Sequence, residues 1–132
     1  MTPVEFRRHL HRHPELSFRE TESARFIAEA LREAGIPCRP IAGTGVLAKI
    51  EGRGDLRRAV VLRADIDALP IREQSGAAWS SENDGVMHAC GHDIHAAVLY
   101  GTLLRLSAER NFEGTLSVSY THLRAHETVL DI

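Results

Sequence analysis

Ala59-Val60-Val61-Leu62-Arg63-Ala64-Asp65-Ile66-Asp67-Ala68-Leu69-Pro70 decides the fold class. The run from Ala59 to Ala64 is apolar enough for a strand in the middle of a sheet, and the loop Asp65 to Pro70 ends it. Upstream, Val46 to Ile50 reads as a second strand and Gly52 to Asp55 as a turn, with a short strand before them at Ile36 to Ile41. Earlier still, Ala24, Phe26, Ile27, Ala30, Leu31 and Ala34 recur at i, i+3, i+4 spacing after Thr21. The run stops at Gly35, which predicts an amphipathic helix with a glycine stop. Val4 to His11 reads as a short helix that ends before Pro14, since the residue preceding proline is pushed out of helical geometry. Downstream, Ser75 to Val86 is a long polar loop, His92 to Ser107 a second good helix, and Phe112 to Tyr120 starts as an alternating strand. Strands alternating with helices predict an α/β fold, a sheet flanked by helices.

Composition narrows the function classes. At 132 residues, 43% hydrophobic and 26% charged, the chain reads as one globular unit with room for a core. A formal charge of −2 and a pI near 6.4 provide no basic patch, so no nucleic-acid partner is expected. No apolar run approaches the roughly 18–20 residues of a membrane span, and Met1-Thr2-Pro3-Val4-Glu5 does not read as a signal peptide. Two cysteines, Cys38 and Cys90, are too few for a disulfide framework. The expected setting is therefore cytoplasmic and reducing.

Eight histidines in so short a chain is a high count. The densest group is Met87-His88-Ala89-Cys90-Gly91-His92-Asp93-Ile94-His95. Thiolate and imidazole are preferred ligands of zinc-like ions. On a regular helix Cys90 and His92 would point about 200° apart and could not share an ion. As a metal-ligating pair they need a turn, which Gly91 permits. His88, His92 and His95 offer a rival set at i, i+4, i+7 on one helical face, and a buried Cys with surface histidines at a helix entry is the bland reading. Asp65 and Asp67, two apart just past the strand, project to one side of an extended chain. They are the candidate catalytic pair, able to bind a cation or to orient a ligating histidine, against the plain reading of an Asx-type turn. His9, His11 and His13 near Glu15 and Glu20 suggest a metal site less well: Pro14 ends any helix there, and a structural or solvated role is expected.

Four segments in register resemble the M20 family of metal-dependent amidohydrolases, in its aminoacylase, hippurate hydrolase and auxin-conjugate hydrolase branch. They are Leu10-His11-Arg12-His13-Pro14-Glu15-Leu16-Ser17-Phe18-Arg19-Glu20, Gly43-Thr44-Gly45-Val46, Arg63 to Ile71, and Met87 to Ala96. The resemblance runs from about Val4 to Leu116. It implies the N-terminal part of a zinc-peptidase-like catalytic domain, a mixed sheet flanked by helices, interrupted in the complete enzyme by a smaller lid through which a homodimer forms. It implies two divalent ions (zinc, manganese, cobalt or nickel) and a small N-acyl amino acid or amide as substrate. Cys90 and His92 correspond to metal ligands, Asp67 to the aspartate of the family's His-x-Asp motif and Asp65 to its histidine. The glutamate that moves a proton from water to the departing amine, a ligating glutamate beside it and two later histidines are absent here, so the chain is expected to be a truncated, inactive portion.

Beyond Ser117 the family pattern stops. Val118 to Thr128 resembles one reading frame of a transposase adapter used in sequencing libraries, so residues 1–117 are expected to be the catalytic-domain portion and 118–132 a non-native tail. His122, His126 and Glu127 imitate a helical metal motif, and no function is assigned to them. The competing class is a non-enzymatic metal- or thiol-binding module using Cys90, His92 and His95, with Cys38 as a redox partner. Clustering of Cys90 with Asp65 and Asp67 at one sheet edge favours the hydrolase; a Cys90–Cys38 pair within disulfide distance favours the module.

Overall fold

The structure, a computed structural model, describes residues 1–122. Three helices and four strands follow in the order α1 (Pro3–Arg12), α2 (Thr21–Glu33), β1 (Cys38–Ile41), β2 (Gly45–Glu51), β3 (Ala59–Asp65), α3 (His92–Glu109) and β4 (Thr115–Thr121). Each lies within a few residues of its expected position. The mixed α/β sheet has the order β1-β2-β4-β3, antiparallel except for the parallel pair β3–β4. Parallel neighbours need a crossover, and α3 lies within it.

Alternation explains which face is covered. Val46, Ala48 and Ile50 of β2 stand opposite Tyr120, Val118 and Leu116 of β4, and all six are buried. The intervening Lys49 and Ser117 face away, as a period of two requires. Phe6 and Leu10 of α1, Ile27 and Leu31 of α2, and Ala96, Tyr100 and Leu103 of α3 complete the core over that face.

β3 departs from expectation. Its apolar run predicts a central strand, but among the described strands it is an edge, with Val60 62% and Val61 66% exposed. Local composition reports what a strand can bury, whereas its neighbours decide what it does bury.

Each helix start has its own device. Thr2 caps α1 in a reciprocal capping box with Glu5. α2 has no side-chain cap at Glu20. Instead Glu15, from the turn before it, accepts the Ser23 N–H at 2.6 Å and the Glu22 N–H at 3.3 Å. α3 starts after Gly91, whose φ of 83° is left-handed. There Gly91 O accepts from the Ile94 and His95 N–H groups, both at 3.1 Å.

Candidate metal centre

The segment that follows β3 is held on two sides. Ala68 N–H donates to Glu15 O at 2.8 Å, and Leu69 and Met87 exchange two backbone bonds of 2.9 Å. The Leu10–Glu20 segment and the Met87–His95 segment therefore meet at the carboxyl end of β3, where open α/β sheets gather ligands.

Asp67 is 4% exposed and lies at the centre of this junction. Ser17 Oγ donates to its Oδ2 at 2.8 Å. On its other side the His92 Nδ1 lies 2.9 Å from the Asp67 carbonyl oxygen and 3.1 Å from Oδ1. A carbonyl oxygen can only accept, so Nδ1 carries the proton and Nε2 presents its lone pair. This is the tautomer and orientation that a second-sphere carboxylate gives a ligating histidine. The Asp67 bond raises the His92 pKa, outweighing the opposing effect of burial.

Asp65 behaves differently. Its Oδ1 is engaged by Arg63, with Nη2 at 3.0 Å and Nε at 3.1 Å, and Arg63 Nη2 also reaches His122 O at 2.9 Å. No hydrogen bond joins Asp65 to His92, although its charge helps to raise the His92 pKa. Of the two aspartates, only Asp67 is brought into hydrogen-bonding contact with the candidate ligand.

Cys90 is an exposed free thiol. The left-handed Gly91 turns the chain between Cys90 and His92, so the straight-helix objection to a shared ion does not apply. The rival face of His88, His92 and His95 does not form, because α3 begins only at His92. His88 instead sits in the loop before it, 4% exposed, and neither ring nitrogen has a hydrogen-bond partner among the described residues. Burial pushes its pKa down to about 4. Cys38 is a second free thiol, and its Sγ lies 3.7 Å from Ala28 O; no disulfide joins it to Cys90.

An accessible thiol and an imidazole with a fixed free Nε2 suit one edge of a zinc-like coordination sphere. Among the described residues, no group of three or more His, Cys, Asp or Glu side chains could hold an ion. The donor chemistry therefore fits a metal ion, and the ligand count is incomplete.

Behind the turn lies a polar network that spacing alone does not reveal. His11 bridges two carboxylates, with Nδ1 2.7 Å from Asp93 Oδ2 and Nε2 2.9 Å from Glu73 Oε2. Arg7 Nε donates to the same Asp93 oxygen at 2.8 Å. The only sequence signal is the i, i+4 spacing of Arg7 and His11 on α1. The neighbouring histidines differ: His9 stacks on Phe26 at 3.8 Å, and His13 is exposed beside Glu82. A cleft of about 420 Å³ opens over the network, between Trp79, His88 and Ile94. His122 Nδ1 lies 3.3 Å from Glu20 Oε2. His126 and Glu127 are outside the described residues, and Val118 to Thr121 run on in β4.

Comparison with known proteins finds relatives of one family. Residues 61–122 match the model of peptidase family M20/M25/M40. The chain is 49% identical over 109 residues to the N-acetyl-L-cysteine deacetylase of Bacillus subtilis, covering 82% of this chain and 26% of that protein. It is 43% identical to the N-acyl-L-amino acid amidohydrolase of Geobacillus stearothermophilus, covering 90% of this chain and 32% of that one. The chain thus spans about a quarter to a third of the curated relatives it matches. Among solved structures, the Bacillus subtilis YXEP protein, a dinuclear metal binding peptidase from the M20 family, superposes with a TM-score of 0.85 at 44% identity. That match covers 89% of this chain and 34% of the other. The mixed sheet and its flanking helices match part of the fold of that M20 family structure.

Proposed function

We propose that this chain is a portion of a dinuclear-metal amidohydrolase that removes the acyl group from N-acyl amino acids or related small amides. The observation that carries this reading is the His92 ring, pinned through Nδ1 to Asp67 with an exposed thiol two residues before it. Likeness to a deacetylase and to an N-acyl amino acid amidohydrolase supports the substrate class.

In this reading Cys90 contributes a thiolate and His92 its Nε2. Two divalent ions (zinc, manganese, cobalt or nickel), when bound, polarise the amide carbonyl and activate water. Asp67 keeps the proton on Nδ1 of His92 and fixes the ring plane, and Ser17 in turn fixes Asp67. Asp65 adds negative charge at the same strand end. The complete enzyme is a cytoplasmic homodimer that pairs through a lid domain, and residues 118–132 are a non-native tail, although Val118 to Thr121 run on in β4 and the family match extends to residue 122. An uninterrupted genomic copy encoding His122-Leu123-Arg124-Ala125-His126 at this position would overturn the last point.

Expression of the uninterrupted coding sequence and assay with N-acetylcysteine and other N-acyl amino acids tests the proposal. Metal-dependent release of the free amino acid is expected, lost in Cys90→Ser and in His92→Ala. Activity untouched by either replacement would sink the assignment. The 132-residue chain itself is expected to hydrolyse nothing with added zinc, manganese or cobalt, because its described residues bring only two ligands.

A further inference from the structure

Phe6 and Tyr100 stack with ring centroids 4.3 Å apart and clamp α1 against the middle of α3. Apolar packing is non-directional and does not by itself fix the height or rotation of a helix. Near the carboxyl end of α1, His11 adds direction. This ring is 4% exposed and contacts Asp93, itself 1% exposed and the residue immediately after His92. On the opposite side it meets Glu73, which also accepts from Ser75 Oγ and from the Ser81 N–H at 2.7 Å. One imidazole therefore joins α1, the first turn of α3 and the loop that leads into the ligand turn.

Sliding α3 by one residue would move Asp93 about 1.5 Å and rotate it by about 100°. Either change breaks the 2.7 Å contact to His11 and the 2.8 Å contact from Arg7. A carboxylate as buried as Asp93 cannot give up those partners without a large desolvation cost. The backbone that carries His92 is therefore set by α1, whereas the orientation of the His92 ring is set by Asp67.

We propose that His11 is a positioning residue which, through Asp93, sets the separation and angle of Cys90 and His92 around Gly91. The proposal rests on the reading of Cys90 and His92 as ligands. A purely structural His11 would affect stability alone, whereas a positioning His11 affects metal affinity in a chain that is still folded.

The protein expressed from the uninterrupted coding sequence is titrated with cobalt(II) and followed by the thiolate-to-cobalt charge-transfer absorption, beside urea unfolding of the metal-free protein. Cys90→Ser is expected to abolish the band. A band that survives Cys90→Ser, or none in the unsubstituted chain, overturns the ligand reading and this proposal with it. His11→Leu is expected to weaken cobalt binding about 10–100-fold, the usual effect of losing an outer-sphere partner, with circular dichroism unchanged. His11→Gln, which reaches only one carboxylate, is expected to recover part of the loss. Should His11→Leu not fold, Glu73→Gln removes the opposite contact, and a smaller loss in the same direction is expected. Unchanged affinity in folded His11→Leu, or failing that in Glu73→Gln and His11→Gln together, overturns the positioning role and leaves the ligand reading standing.

Discussion

β3 passes from an open edge to a closed end within a few residues. Val60 and Val61 are more than half exposed, but Ile66 is fully buried and Asp67 nearly so. At the closed end, Ser17, Glu15 and His92 satisfy the chain with short directional bonds. The open edge offers apolar area that no described element covers. The difference lies in what each kind of interaction requires. A few well-placed polar atoms complete a hydrogen-bonded junction, whereas hydrophobic cover scales with area and needs whole strands or helices. A hydrogen-bonded junction can therefore close one end of a strand while the strand's edge keeps apolar area that no described element covers.

That contrast can be broken at the closed end first. Asp93→Ala removes the buried partner of His11 and Arg7 and is expected to lower stability by about 3–5 kcal/mol in urea unfolding. A loss below about 1 kcal/mol would mean that the network is not what closes this end. Gly91→Ala is expected to cost about 1–2 kcal/mol. No atom crowds a Cβ there, so the left-handed φ is the whole reason.

Acid should act on the same network. Burial pushes the Glu73 carboxyl up, but bonds from Ser75, His11 and the Ser81 N–H outweigh it and hold the pKa at about 2. The unfolded chain, with a glutamate near 4.3, binds more protons between those values, so the stabilisation is present above about pH 4.3 and is lost as pH falls towards 2. Unfolding midpoints measured across that window should decline less steeply in Glu73→Gln, and parallel curves would remove Glu73 from the network.

The smallest stability effect belongs to the open edge. Val60→Thr with Val61→Lys should change stability by no more than about 0.5 kcal/mol per site. The pair should nonetheless reduce self-association in sedimentation, because a charged edge resists strand pairing. Self-association unaltered by both changes would show that the edge is not the sticky surface.

Much of this architecture is legible in the amino-acid sequence by itself. The i, i+3, i+4 spacing from Ala24 to Ala34, the apolar run from Ala59 and the turn allowed by Gly91 are local properties of the chain, so α2, β3 and the break between Cys90 and His92 follow from them. Tertiary structure alone chose Asp67 over Asp65, since the choice depends on His92, 25 residues away. It also turned His11 from an ordinary helix-end histidine into a bridge to Asp93 across 82 residues. It put β3 at an edge although its composition suits a centre. Periodicity records the face each residue presents, but the partner on that face is set by the folding of distant segments onto one another, which no local pattern encodes.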